Sequence, residues 1–195
     1  MAEIPQLLML IGAATPPGRL AAAIAAAAEA VRGDAGDIGV EVINLAETAI
    51  DACDGRPLEG YGCGHREAVG RIGAAAAVLI AASVYRASFP GVMKNLLDIV
   101  PVGALQGKPV GIAAMGGSAH HYLAVDTQLR QVLGWFGALV APTSVYLTGA
   151  DFRGGALTSE TARKDLVALA ETLVMLLRRL DPSLLGPIPL AAKFT

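Results

Sequence analysis

The chain contains only two cysteines and one tryptophan, and just 16% of its residues are charged. Two thiols among 195 residues do not build a disulfide framework, which favours a reducing, cytoplasmic setting. Fifteen basic against 17 acidic side chains give a net charge of −2, so no basic block exists to neutralise nucleic-acid phosphates. We therefore expect no nucleic-acid partner, and the length fits one domain that folds without disulfides or metals.

The chain also has no continuous apolar run typical of a membrane anchor, although 54% of its residues are hydrophobic. The longest uncharged stretch, residues 131–150, is about as long as a membrane span but is divided by Gly137 and Pro142. Glu3 and Pro5 stand where a secretory signal would carry basic residues. We expect no membrane segment and attribute the hydropathy to alanine-rich helices around a buried parallel sheet.

Short apolar runs alternate with helix-periodic segments along the chain. The predicted strands are residues 7–11, 40–45, 77–82, 109–115 and 139–147, with Pro142 inside the last. The predicted helices are residues 19–32, a short one ending at 71, one following residue 88, 122–136 and 159–180. This alternation predicts an α/β fold, a flavodoxin-like, doubly wound, five-stranded parallel sheet of order 2-1-3-4-5. Residues 1–182 would form this single domain, and residues 183–195 a proline-rich C-terminal tail.

Three loops follow strands 1, 3 and 4, whose carboxyl ends share one crevice in that strand order. The first loop, residues 12–18, contains Thr15 and leads into a helix that begins at Arg19. A hydroxyl, a guanidinium and a helix amino terminus together suit a phosphate group. The loop has neither a Walker lysine nor a GxGxxG pattern, so an ordinary strand-to-helix turn is the alternative.

The second loop, residues 83–88, places Tyr85 and Arg86 within an otherwise apolar stretch. A tyrosine there offers a flat face to an aromatic ligand and a hydroxyl to its polar rim. Ser88 is predicted to be the N-cap of the next helix, with Phe89 and Pro90 in the first turn. The alternative is a locally packed tyrosine beside a solvated arginine.

The third loop begins with Gly116, Gly117 and Ser118, and paired glycines let backbone approach a planar ligand closely. His120 and His121 follow. A metal would need a third ligand, and no other histidine or carboxylate is suitably spaced, so we expect no metal centre. The chain has neither a nucleophile elbow nor a Ser-His-Asp order.

Two adjacent segments carry a resemblance to a known family: VYRASFPGVMKNLLDIVP, followed by LQGKPVGIAAMGGSAHHYLAVDTQLRQVL. They resemble the NAD(P)H-dependent FMN reductases, and among these the flavin reductases of two-component alkanesulfonate monooxygenases. The similarity is strong over residues 78–152. It implies a flavodoxin-like fold, hydride transfer from NAD(P)H to FMN, and a homodimer or homotetramer. It also implies a flavin-dependent monooxygenase as the partner that receives reduced flavin.

The resemblance assigns residues to the cofactors. The family's flavin-ring loop corresponds to residues 84–87, its second flavin loop to 116–118 and its phosphate loop to 12–22. The expected cofactor-binding residues are Thr15, Arg19, Ser83, Val84, Tyr85, Arg86, Ala87, Gly116, Gly117 and Ser118. No side chain is assigned as a catalytic acid or base, because the cofactors carry the chemistry.

The phosphate loop departs from the family pattern. Members carry several serines there, whereas this chain has Ala13, Gly18, Leu20, Ala21 and Ala22. Pro16 and Pro17 also lack amide donors. Each missing neutral hydrogen bond costs about 0.5–1.5 kcal/mol, which predicts loosely held flavin. Ser83 replaces a usual proline, and Thr127 stands where some members insert an aromatic residue or a histidine.

Three alternative functions remain open beside an FMN reductase. The first is a flavodoxin-fold enzyme that keeps FMN bound and reduces a quinone, an azo compound or another organic acceptor. The second is an electron carrier like flavodoxin, which the balanced charge disfavours. The third is a homologue that has lost flavin and acts as a partner-binding subunit, which the depleted phosphate loop favours.

Overall fold

A computed structural model describes residues 4–15, 18–34, 36–181, 186–189 and 193 and shows a parallel sheet between two layers of helices. The strands of this sheet are β1 (Gln6–Gly12), β2 (Gly39–Asn44), β3 (Ala77–Ser83), β4 (Pro109–Met115), β5 (Leu139–Val140) and β6 (Val145–Leu147). The helices are α1 (Arg19–Asp34), α2 (Cys63–Ala74), α3 (Gly91–Leu97), α4 (Ala124–Trp135) and α5 (Glu160–Arg179). A separate antiparallel hairpin joins β7 (Phe152–Arg153) to β8 (Ala156–Leu157).

The sheet has the order β2-β1-β3-β4-β5, all parallel, and β6 also pairs with β4. This confirms the predicted flavodoxin-like order. α1 and α5 cover one face of the sheet, while α2, α3 and α4 cover the other. Because β1, β3 and β4 are buried on both faces, they are continuous apolar runs rather than alternating ones. None of the described helices is both long and apolar enough to cross a bilayer.

The predicted fifth strand, residues 139–147, is broken into β5 and β6 around Pro142. Arg130 on α4 spans the break: its Nη1 donates to the carbonyl of Ala141 at 2.9 Å and its Nη2 to that of Pro142 at 3.1 Å. Its Nε donates to both carboxylate oxygens of the buried Asp126, at 3.0 and 2.9 Å. The carbonyls that leave the sheet at the break are therefore satisfied by a side chain.

Other sequence expectations need correction. The predicted helix 122–136 begins with Tyr122, but this residue precedes α4 and is 57% exposed. A 3-10 turn at Ala119–His121 precedes α4, which begins only at Ala124, so Tyr122 lies outside the helical register. The hairpin of β7 and β8 was not predicted, because its strands are only two residues long. Most of the expected tail, and both Pro16 and Pro17, lie outside the described residues.

His65 on α2 is fully buried against the long connection that follows β2. Its ring centroid lies 4.8 Å from that of Tyr61. Within the described part of the chain, neither ring nitrogen has a hydrogen-bond partner. Burial lowers the pKa of His65, and the nearby Asp51 opposes this only in part.

We expect the free energy of unfolding to decrease as the pH falls below the ordinary histidine pKa of about 6.5. In that window His65 is protonated in the unfolded chain and still neutral in the folded one, so acid favours unfolding. Urea denaturation at pH values above and below this point measures the change. His65→Leu should reduce the pH dependence, whereas His120→Leu, which alters an exposed ring, should not. Equal dependence in both variants would contradict the assignment.

Candidate functional site

A cleft of about 380 Å³ opens at the carboxyl ends of β1, β3 and β4. This volume lies within the range of small-molecule sites. Its lining includes these residues predicted from the sequence: Thr15, Arg19, Ser83, Val84, Tyr85, Gly116 and Gly117. It also includes residues not predicted as ligands: Ala13, Gly18, Leu20, Ala21, Asn44 and Met115. The three loops chosen from the sequence therefore meet at one place.

One end of the cleft is formed by the amino terminus of α1. The amide of Ala22 donates to the carbonyl of Gly18 at 3.0 Å. The amides of Arg19, Leu20 and Ala21 precede this bond and have no helical acceptor among the residues that the structure describes. These donors and the positive end of the helix dipole form a cradle for an anion.

Arg19 lies at this end of the cleft and its side chain is exposed. Its guanidinium carbon is 6.0 Å from the ring centroid of Phe152 at the start of the β7–β8 hairpin. A Cβ on Gly149 would come within 3.0 Å of Arg19 Nη1, so the backbone of the preceding turn approaches the guanidinium closely. The hairpin and its turn therefore limit where this charge points.

The loop after β3 forms a tight turn between Tyr85 and Ser88. The amide of Tyr85 donates to the carbonyl of Ser88 at 2.7 Å, and the amide of Ser88 donates back at 2.9 Å. Arg86 and Ala87 occupy the two central positions with φ of 48° and 61°. Such turns normally carry Asn or Gly, and a left-handed conformation costs other residues roughly 1–2 kcal/mol each.

One expectation about this turn is corrected. Ser88 is not a helix N-cap, since it closes the turn while α3 begins at Gly91 with Pro90 before it. Arg86 and Ala87, at the centre of the turn, are not among the residues that line the cleft. Tyr85 does line it and is 43% exposed.

Gln128 on α4 contacts the far side of the same turn. Its Nε2 donates to the carbonyl of Ala87 at 2.8 Å. The hydroxyl of Ser88 donates to its Oε1 at 2.5 Å. Sequence spacing gives no indication of these contacts, because Gln128 is some forty residues further along the chain.

The loop after β4 is held from behind by β6. The amide of Gly116 donates to the carbonyl of Leu147 at 3.0 Å. The hydroxyl of Tyr146 donates to the backbone carbonyl of Ser118 at 2.7 Å. Burial raises the pKa of Tyr146, so the hydroxyl remains a donor at neutral pH. Ser118 itself does not line the cleft.

The two glycines of this loop have different surroundings. A Cβ on Gly116 would overlap the hydroxyl oxygen of Tyr146 and lie 3.3 Å from Val84 Cγ2. A Cβ on Gly117 would meet no atom of the described residues within 4 Å. Gly116 is therefore required by packing, whereas Gly117 leaves open space beside the cleft.

Asn44 is the polar lining residue that sequence reasoning missed. It ends β2, is 9% exposed, and its Oδ1 accepts from the amide of Ala46 at 3.1 Å. A polar residue at the carboxyl end of an alternating strand was the available signal. Among the described residues, no three histidine, cysteine or acidic side chains are grouped as metal ligands.

Comparison with known proteins gives consistent matches. The family model described as NADPH-dependent FMN reductase matches residues 5–169. Over 94 residues, the chain is 43% identical to an NADH-dependent FMN reductase, SfnF, of Pseudomonas fluorescens, covering 48% of this chain and 50% of that protein. It is 39% identical to an FMN reductase (NADPH) of Pseudomonas aeruginosa, also over 94 residues, with the same coverage of both chains.

The matched region thus spans about half the length of these curated relatives. A structural match extends further. The apo form of an NADH:FMN oxidoreductase, EmoB, superposes with a TM-score of 0.73 at 25% identity, covering 95% of this chain and 97% of that one.

Proposed function

The chain belongs to the NADPH-dependent FMN reductase family, and from this premise we propose that it reduces FMN with NAD(P)H and supplies the reduced flavin to a partner monooxygenase. One observation carries the proposal: a single cleft joins the helix amino terminus beside Arg19 to the exposed ring of Tyr85. FMN has the matching polarity, with a phosphate at one end and a planar ring at the other.

The phosphate end of the cleft supports weak, reversible flavin binding. The amides of Arg19, Leu20 and Ala21, which precede the first helical hydrogen bond between described residues, would hold the phosphate, with Thr15 and the Arg19 guanidinium as the polar side chains. Ala13 and Leu20 line the same end and offer no side-chain donor. An enzyme that treats flavin as a diffusible substrate needs such loose binding, whereas a permanent flavoprotein does not.

The ring end of the cleft supports binding of the isoalloxazine between two loops. Bound FMN supplies the hydride-accepting chemistry. Tyr85 would provide an apolar face for the ring, and the open side of Gly117 would admit its edge. Gly117 lines the cleft and its amide follows the last amide bonded to the sheet, so it would donate to the negative charge that reduction adds.

Purification and titration test this function against its alternatives. We expect a colourless protein that oxidises NAD(P)H only when free FMN is added. A yellow protein that turns over a quinone without added flavin would favour the alternative with bound FMN. A colourless protein that never binds FMN would overturn the reductase and favour a partner-binding subunit.

The location that we propose is cytoplasmic. Cys53 and Cys63 are both free and exposed. Exposed free thiols persist in reducing compartments and are rare in oxidising ones.

We further propose that two copies of the chain associate through an apolar groove between α3 and α4. The groove encloses about 860 Å³ and is lined mainly by Leu97, Val100, Pro101, Val102, Trp135 and Phe136. Trp135 is 56% exposed and packs edge-on against Phe136, with ring centroids 5.3 Å apart. A second copy related by a two-fold axis would cover the same surface on both chains, as in a homodimer or a homotetramer built from such dimers.

Trp135→Glu is expected to shift the protein to a smaller species, because it places a charge on the lining of this apolar groove. Light scattering after size-exclusion chromatography measures the mass. Met175→Glu is the matched control, since it alters another exposed apolar side chain, on α5. An unchanged mass in the Trp135 variant would contradict this interface.

A further inference from the structure

The turn at Tyr85–Ser88 is held in a conformation that its own sequence does not favour. Both central residues, Arg86 and Ala87, have positive φ, and neither is Gly or Asn. Within the turn, two backbone hydrogen bonds oppose this strain. Such a segment keeps its shape only when its surroundings determine it.

Gln128 supplies that support from outside the turn. Its amide group bridges the carbonyl of Ala87 and the hydroxyl of Ser88, which are adjacent positions of the turn. The helix that carries it is anchored in the core, since Val125, Leu129 and Leu133 on α4 are fully buried. A rigid helix thus holds the strained turn through one side chain.

The geometry points to Gln128 as a positioning residue that sets the affinity for flavin by holding the Tyr85–Ser88 turn. Gln128 does not line the cleft, so it acts through Tyr85 and Val84, which do. This role rests on the proposed function, since it takes the cleft to be the flavin site. If Tyr85 is held in place before FMN binds, less conformational entropy is lost on binding.

Replacing Gln128 with alanine should weaken FMN binding about 5–20-fold, the loss expected for one or two partly exposed hydrogen bonds. The turnover rate at saturating FMN should change less than about twofold, because the bound ring still reaches the same contacts. Gln106→Ala is the control. Gln106 is also exposed, but it precedes β4. It therefore lies near the amino ends of the strands, whereas the cleft lies at their carboxyl ends.

A rescue variant separates positioning from a general loss of stability. Ala87→Gly removes the steric cost of the left-handed conformation at this position, so the turn depends less on the hydrogen bonds from Gln128. The affinity lost through Gln128→Ala should therefore be smaller in the Ala87→Gly background than in the unaltered protein. An equal loss in both backgrounds would overturn the positioning role.

A second measurement does not depend on flavin. Trypsin should cleave after the exposed Arg86 a few times faster in Gln128→Ala than in Gln106→Ala, because the released turn opens more often. Suppose that the unaltered protein binds FMN and that Gln128→Ala has the same affinity for FMN and the same cleavage rate. The positioning role of Gln128 is then wrong, while the proposed reductase function is not contradicted. If the unaltered protein binds no FMN, the proposed function and the affinity role fail together, and faster cleavage then reports on the turn alone.

Discussion

Replacing Arg19 with alanine is expected to raise the dissociation constant of FMN about 10–100-fold, the range for hydrogen bonds to a charged group. Arg19 stands at the phosphate end of the cleft, where Ala13 and Leu20 leave few other polar side chains. The turnover rate at saturating FMN should change little, because Tyr85 and the glycine loop position the ring. Quenching of flavin fluorescence measures the affinity, and steady-state oxidation of NAD(P)H measures the rate.

Two further variants control for charge and for folding. Arg19→Lys keeps the positive charge but not the planar donor pair, so its affinity for FMN should lie between those of the unaltered protein and Arg19→Ala. Arg66→Ala removes an exposed arginine from α2 and should leave FMN binding unchanged. If Arg19→Ala binds FMN as tightly as the unaltered protein, the assignment of the FMN phosphate to this end of the cleft is wrong.

Replacing Gly116 with alanine is expected to destabilise the fold by about 1–3 kcal/mol, as overpacking of a filled interior does. The new methyl group would overlap the hydroxyl of Tyr146 and press on Val84, so β6 and the loop must separate. Because Tyr146 then loses its bond to the carbonyl of Ser118, the loop should lose its shape. FMN binding should fall by about 100-fold or more, since two loops of the ring site are disturbed.

The neighbouring glycine and a second substitution make this test specific. Gly117→Ala meets open space within the protein, so its melting temperature should remain close to that of the unaltered chain. Adding Tyr146→Phe to Gly116→Ala removes the overlapping oxygen and should recover much of the lost stability. If Gly116→Ala and Gly117→Ala melt alike, the packing argument is wrong.

The order of the strands in the sheet could be predicted because the strands can be recognised from the sequence pattern. The runs at residues 77–82 and 109–115 are wholly apolar, which is the pattern of a strand buried on both faces. Right-handed crossovers and short connections then leave few arrangements of five parallel strands. The strand ends could be placed for the same reason, and with them the cleft lined by Thr15, Tyr85 and Gly116.

The supports behind the cleft could not be predicted, because each joins residues far apart in sequence. Ser88 resembled a helix cap locally, but its hydroxyl bonds to Gln128 and the helix starts later. Gly116 resembled a close approach to a ligand, yet its nearest neighbour is the hydroxyl of Tyr146. Local patterns thus located the loops that face the cleft, and only the folded chain shows which side chains hold them.

The interrupted last strand also affects how readily the edges of the sheet can pair with strands of other molecules. An open parallel sheet presents two edges, and long, flat edges recruit strands from other molecules. Here one edge consists of two short pieces, β5 and β6, separated by the kink at Pro142. The other edge, β2, carries Glu41, which is paired with Arg71. Both borders of the sheet are therefore poor templates for fibril growth, despite the apolar composition of the chain.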